Sequence, residues 1–199
     1  MKHLNNVAFA SFFLTVFILT TLNANMILDT NESGEILLLN FAEIKNMDDW
    51  RIVNDGVMGG LSKSKFMLSD SNTAIFSGNV TLENNGGFAS TRTRSMQFQL
   101  DGFKGIRIRV KGDGKTYQFR LRTNDRIDGV SYRHHFETKL NQWQTISLPF
   151  NKFVPVFRGR VLRDVEPISP KDIQQLGILI SDNQTGEFQL EIQWIKSYQ

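Results

Sequence analysis

"GIRIRVKGDGKTYQFRLR", residues 105–122, alternates with a two-residue period on both sides of a Gly-Asp-Gly centre. Ile106, Ile108 and Val110 interleave with Arg107 and Arg109, and Tyr117, Phe119 and Leu121 interleave with Gln118, Arg120 and Arg122. Successive side chains of a strand point to opposite faces, so each half reads as a strand with one apolar and one basic face. Gly112-Asp113-Gly114 supplies residues that tolerate positive φ. The stretch is therefore predicted to be a β-hairpin, with the apolar sets on the core and four Arg sharing the other face.

The same period recurs outward in both directions. "ILLLNF" (36–41), "KSKFML" (63–68), "TAIFSGNV" (73–80), "FASTRTR" (88–94), "SYRHHFE" (131–137), "WQTISLPF" (143–150), "LGILIS" (176–181) and "FQLEIQWI" (188–195) all read as strands. Trp194 shares its phase with Phe188, Leu190 and Ile192 and is expected to face inward. Asn85-Gly86-Gly87 is a second candidate hairpin turn. Only "SPKDIQQL" (169–176) reads as a helix, with Ser169 as N-cap and Pro170 at the first helical position. The expected fold is all-β, an antiparallel jelly-roll β-sandwich with one short helix near 169–176. All four prolines fall between 149 and 170, a connection too rich in Pro and Arg for a central strand and a candidate functional loop.

Composition suits one domain held by packing. The 199 residues include 16 Phe and no Cys, which excludes a disulfide framework, a thiolate metal site and a Cys nucleophile. A formal net charge of +3, with no concentrated Lys/Arg stripe, does not point to nucleic acid. Residues 1–24 have the layout of a signal peptide: Lys2, an apolar run from Val7 to Leu22, and small Ala24 as the cleavage residue. The run has 16 residues, short of the roughly 20 that span a bilayer. An exported domain over 36–197, periplasmic or extracellular, is expected. Membrane contact follows only if the N-terminal segment stays uncleaved.

The motifs weigh against most chemistry. Gly114-Lys115-Thr116 lacks the upstream Gly and the helix of a phosphate-binding loop, and Gly112-Asp113-Gly114 lacks the helix of a dinucleotide fingerprint, so no nucleotide is expected. His134 and His135 are neighbours on a strand, so one ring packs or hydrogen-bonds inside while the other is solvated, and no metal site forms. There is no Gly-x-Ser-x-Gly elbow and no nucleophile–base constellation, so catalysis is not expected. The arginine face is either a solvated surface partly neutralised by residues such as Glu191, or a contact for an anionic or hydrogen-bonding partner. Trp50 precedes the glycine-rich turn "NDGVMGG" (54–60), where it either fills the core or walls a pocket.

Six segments also carry a family likeness: "WRIVNDGVMGGLSKS" (50–64), "NNGGFAS" (84–90), 105–122, "WQTISLPFNKFVP" (143–155), "RGR" (158–160) and "LGILISDNQTGEFQLEI" (176–192). In this order, over nearly all of 40–195, the chain resembles the complex I intermediate-associated protein 30 family. The resemblance implies a galactose-binding-domain-like jelly roll, similar to certain carbohydrate-binding modules. It also implies a non-catalytic, chaperone-like role beside the family's mitochondrial members, which act in assembling NADH:ubiquinone oxidoreductase (complex I). No cofactor is implied. By motif position it places Asn54, Asp55, Asn84, Asn85, Arg92, Asp113, Arg120, Arg122, Tyr132, Arg158, Arg160 and Asp182 among the polar candidates. Trp50, Arg107 and Arg109 join them from the strand pattern. Asn54 and Asp55 are expected to serve the turn itself, since Asn and Asp so often hydrogen-bond their own backbone. Two partners fit these residues: a protein, such as a subunit of a membrane complex, or a glycan. The glycan reading requires Trp50, Tyr132 and the arginines to line one groove.

Overall fold

The computed structural model describes residues 34–126 and 128–199, so the candidate signal segment lies outside the described residues. Thirteen strands form: β1 (Glu35–Asn40), β2 (Trp50–Ile52), β3 (Lys63–Leu68), β4 (Ala74–Val80), β5 (Ala89–Thr93), β6 (Gly105–Lys111), β7 (Thr116–Arg122), β8 (Ser131–Glu137), β9 (Trp143–Pro149), β10 (Val154–Phe157), β11 (Arg160–Val161), β12 (Gln175–Ile180) and β13 (Gly186–Tyr198). Every pairing among them is antiparallel. Six strands make one sheet in the order β3-β4-β13-β6-β9, with β1 also paired to β13; seven make the other in the order β11-β10-β8-β7-β12-β5-β2. The two sheets form the expected all-β sandwich.

The inward residues of each strand meet in one core. A run of aromatic rings crosses it: Trp50 to Phe66 at 4.6 Å, Phe66 to Phe76 at 6.3 Å, Phe76 to Phe188 at 4.9 Å, Phe188 to Tyr117 at 6.5 Å and Tyr117 to Phe136 at 5.9 Å. Because Trp50, Tyr117 and Phe136 belong to the seven-stranded sheet and the three Phe to the other, the rings join the layers.

Four sequence expectations are corrected. The stretch 105–122 is not a hairpin: β6 pairs with β13 and β9, whereas β7 pairs with β8 and β12 in the other sheet. Gly112-Asp113-Gly114 instead turns the chain across the core. Asp113 accepts hydrogen bonds from Lys115 N–H at 3.1 Å, Gln189 N–H at 2.9 Å and the Tyr117 hydroxyl at 3.1 Å. Asn85-Gly86-Gly87 likewise connects β4 and β5 of different sheets. The helix over 169–176 reduces to one 3-10 turn, Pro170–Asp172, without a Ser169 side-chain cap; residues from Gln175 onward are drawn into the ladder between β7 and β5. A bulge between Ile192 and Trp194 shifts the phase of β13, so Ile195 is buried and Trp194 faces outward opposite Arg109.

The Pro-rich connection supplies β10 and β11 at one margin of the seven-stranded sheet. The Pro155 carbonyl accepts from Leu162 N–H at 3.0 Å on the outer side, which leaves the missing Pro N–H on that side too.

Candidate functional site

The glycine-rich segment after β2 is a structural knot. Asp55 is fully buried, and its carboxylate accepts from Ser62 N–H at 2.9 Å, Gly87 N–H at 2.7 Å, Phe88 N–H at 3.2 Å and the Ser62 hydroxyl. Burial pushes this carboxyl up, but the four hydrogen bonds outweigh it and hold the group below its ordinary value. Asn54 Oδ1 accepts from Ser64 Oγ at 2.7 Å and from Ser90 N–H at 3.3 Å. Both residues therefore have the structural role expected of them, but they tie loop 54–62 to the crossing between the sheets, and Asn54 does not cap its own turn. Gly60 leaves room for the carboxylate, since a Cβ there would lie 2.4 Å from Asp55 Cγ, and Gly59 takes a φ of 92°.

The arginines divide between the two outer faces, so the expectation of one shared four-Arg face is corrected: Arg107 and Arg109 belong to the six-stranded sheet, Arg120 and Arg122 to the other. On the first face two carboxylates meet part of the positive charge. Arg107 pairs with Glu35, which also takes Lys196 at 3.1 Å, and Lys111 pairs with Glu191. Arg107 lies over the Tyr198 ring at 4.9 Å, Arg109 over Trp143 at 5.7 Å and Lys196 over Trp194 at 4.9 Å. This fits the solvated, partly neutralised surface, one of the two readings of the arginine strands.

The opposite face is different. Cross-strand register places Arg51 beside Arg92, Arg92 beside Gly177, Gly177 beside Arg120 and Arg120 beside Arg133, one row across β2, β5, β12, β7 and β8. Arg122 stands two residues along from Arg120, opposite buried Gln175. Arg120 is held by its neighbours. Its Nε and Nη2 donate to Gln118 Oε1 at 3.0 and 2.6 Å, and Nη1 donates to Ser131 Oγ at 2.9 Å. Gln118 is fixed in turn by donating to Asp182 Oδ2 at 2.8 Å and Ser181 Oγ at 3.0 Å.

Like charges directly opposite on a ladder repel, and burial sharpens the cost. Burial, then Arg133 and Arg122, pull the Arg120 guanidinium down to about 10. Burial, then Arg92, pull Arg122 to about 10, and burial with Arg51 lowers Arg92. At neutral pH all remain charged, so the folded protein carries unfavourable positive charge that only pH above about 10, or a bound anion, relieves. Nearby carboxylates are largely committed: Asp182 contacts His135 at 3.2 Å as well as Gln118, and Asp128 pairs with Arg158 at 2.5 Å.

The remaining candidates are scattered. Trp50 and Tyr132 lie in the opposite phase to the arginines, Trp50 within the aromatic core and Tyr132 buried with its hydroxyl donating to Glu166 O at 3.1 Å. Asn84 and Asn85 take positive φ values of 54° and 59° in the crossing turn, and Asp113 serves its own turn. Arg158 and Gly159, both at positive φ, make the two-residue turn between β10 and β11, with Arg160 exposed beside it. His134 packs edge-on against Phe153 at 5.3 Å while His135 is exposed, the division that strand alternation implied. Sequence reasoning missed Arg51, Arg133 and Gly177. The alternation of "SYRHHFE" was a usable signal for Arg133, because it sets that residue against Tyr132.

A family profile described as Complex I intermediate-associated protein 30 matches residues 39–192. The chain belongs to the complex I intermediate-associated protein 30 family. A probable mitochondrial member of this family from Caenorhabditis elegans is 28% identical over 174 residues, covering 77% of this chain and 51% of its own. The mouse mitochondrial member is 27% identical, covering 78% and 53%. An uncharacterised protein of Schizosaccharomyces pombe is 29% identical, covering 81% and 84%. The chain thus spans about half the length of the named worm and mouse relatives.

Among solved structures, the family 11 carbohydrate-binding module of a Clostridium thermocellum cellulase superposes with a TM-score of 0.59 at 18% identity, covering 84% of this chain and 96% of the module. The same family of module in complex with a β-1,3-1,4-mixed-linked tetrasaccharide gives 0.61, also at 18% identity, covering 84% and 97%. At that identity the likeness establishes the shared sandwich, in agreement with the galactose-binding-like fold expected from the family. The worm and mouse relatives are named complex I intermediate-associated proteins and not enzymes, in keeping with the non-catalytic expectation. One expectation is overturned. Export to a periplasm or the cell exterior does not hold, because the worm, mouse and fly members of the complex I intermediate-associated protein 30 family are named mitochondrial.

Proposed function

We propose that this chain is a non-catalytic, mitochondrial binding protein of complex I assembly that holds an acidic surface of a partner protein against its arginine face. The observation that carries the reading is the row Arg51, Arg92, Arg120 and Arg133, in which register sets Arg51 directly opposite Arg92 and Arg120 directly opposite Arg133 on one outer face. Family membership supplies the biological setting, and a sandwich shared with binding modules supports a binding rather than a chemical role. The glycan reading required rings and arginines in one groove. Trp50 and Tyr132 instead face the core, so the likeness to carbohydrate-binding modules supports the fold and not the ligand.

The test is crosslinking of the full chain in mitochondria, followed by identification of the captured complex I subunits. Wild type is expected to capture one or more of them. Arg120→Gln/Arg122→Gln is expected to lose that capture by about tenfold or more, since hydrogen bonds to charged groups contribute about 1.5–3 kcal/mol each. Arg107→Gln/Arg109→Gln, on the outer face of the six-stranded sheet, is expected to retain it and to change stability by less than about 1 kcal/mol. Equal capture by wild type and the Arg120/Arg122 variant, or no complex I subunit with wild type, overturns the reading.

A further inference from the structure

We infer that the apolar tip formed by loops 54–62 and 81–88 anchors the docking surface, and that it enters an apolar cleft with an acidic rim on the partner protein. The knot accounts for the Asn, the Asp and the glycines of "NDGVMGG" (54–60), but not for Val57 and Met58. Those two residues are 73% and 57% exposed, and Leu61 and Leu82 are each 48% exposed. One exposed aliphatic side chain means little. Four on two adjoining loops make a patch of the kind that marks an interaction site.

The knot holds this patch in place. Asp55 accepts from Ser62 N–H on the first loop and from Gly87 and Phe88 N–H on the second, so both loops hang from one buried carboxylate. Val57 and Met58 sit in the 3-10 turn Asp55–Met58, which Gly59 closes in the left-handed region. Leu82 lies against the second loop, since a Cβ at Gly87 would stand 3.1 Å from Leu82 Cδ2. Loops fixed in this way lose little backbone freedom when a partner covers them.

The surroundings decide the occupant. Arg51, the end of the arginine row, leads into loop 54–62 through exposed Ile52, so the tip is continuous with that face. Lys63 and Lys65 are exposed on β3, directly after the loop, and neither forms an ion pair among the described residues. An apolar centre bordered by cations matches an apolar cleft bordered by Asp and Glu. A lipid surface fits less well, because exposed Glu83, Asn84 and Asn85 share the tip with Leu82 and would have to enter the bilayer beside it.

The inference rests on the reading of the arginine face as the contact surface and adds the part that anchors it. Its test is photocrosslinking of the full chain in mitochondria, with the photoreactive amino acid benzoylphenylalanine in place of Met58. The same amino acid in place of Val161, 53% exposed on β11, is the control. Position 58 is expected to label an apolar segment of a complex I subunit flanked by Asp or Glu, with a yield about tenfold or more above the control. Val57→Ser/Met58→Ser is expected to weaken capture of that subunit by about tenfold or more. Its thermal midpoint should stay unchanged, since both side chains are already exposed in the free protein.

Label on lipid alone, label at position 58 no greater than at position 161, or undiminished capture by Val57→Ser/Met58→Ser overturns the inference. If capture survives Val57→Ser/Met58→Ser but is lost in Arg120→Gln/Arg122→Gln, the arginine docking reading stands and the tip falls. Label on a complex I subunit at position 58, with undiminished capture by Arg120→Gln/Arg122→Gln, removes the arginine reading instead and keeps the tip as the contact.

Discussion

Replacing Asp55 by alanine is expected to lower folding stability by about 3 kcal/mol or more, because several buried donors lose their acceptor at once. The backbone N–H groups of Ser62, Gly87 and Phe88 and the Ser62 hydroxyl all donate to this carboxylate, and the cavity around it has no exposure to water. Their desolvation stays after the mutation while their partner is gone. Loop 54–62 precedes β3 and loop 81–88 joins β4 to β5, so the loss falls on a crossing between the two sheets. Asp55→Asn keeps the shape but turns an amide donor toward N–H groups, and is expected to recover little.

The effect also has a pH signature. Since the folded carboxyl titrates below its ordinary value of 3.8, the unfolded chain binds the proton first as pH falls. The contribution of Asp55 is complete above about pH 4 and is lost as pH drops through the folded value. Denaturant midpoints measured from neutral to acid pH should show this limb in wild type and a smaller one in Asp55→Ala. A variant within about 0.5 kcal/mol of wild type at pH 7 would mean that the knot is not a stabilising element.

What was legible in the sequence follows from what alternation reports. A two-residue period marks a strand with one buried face, and it located β3, β7 and β8 to the residue. It failed for β2, β10 and β11, which have three, four and two residues and cannot display a period. Turn chemistry told where the chain reverses, at 85–87 and 112–114, but not which sheet receives it. That single gap sent Arg107 and Arg109 to the wrong neighbours, because partner choice is settled by pairing with β13, far away in sequence.

The family segments contained the knot and Arg120, whereas Arg92 lies just beyond 84–90 and Arg51, though inside 50–64, carried no signal of its own. Arg51 and Arg133 each appear as one cation in a short strand, and their alignment exists only once β2 is paired to β5 and β8 to β7. Gly177 was readable in principle. A glycine inside "LGILIS" interrupts an otherwise apolar strand, a known mark of close approach by a backbone or a ligand. The cellular address was misread because an apolar run of 16 residues after a lysine satisfies the outline of an export signal, whatever receptor acts on it.

Gly177→Glu is expected to abolish partner capture on the arginine face, by about 100-fold or more, and to lower the thermal midpoint, because Gly177 is buried. The substitution sets a tethered carboxylate among Arg92, Arg120 and Arg122, where it competes with any incoming anion at the high effective concentration of an intramolecular group. It also confronts that anion with a like charge, a juxtaposition that costs several kcal/mol. For the folded protein the same carboxylate is favourable, because it offsets the part of the shift that the neighbouring arginines add to burial in pulling Arg120 and Arg122 down to about 10. Replacing a strand-interior glycine removes a further cost of roughly 0.5–1 kcal/mol. Against these stand the burial of Gly177 and the crowding of the new Cβ by the backbone Thr91 O at 3.0 Å and Arg92 Cβ at 3.2 Å, between two paired strands. Gly177→Ala isolates that steric part, having the Cβ without the charge. Thermal melts and mitochondrial crosslinking of both variants separate the outcomes. Capture kept in Gly177→Ala and lost in Gly177→Glu, with both proteins folded, supports contact of an acidic partner with the arginine face; equal capture by the two variants would show that the arginine row serves some purpose other than holding a negative charge.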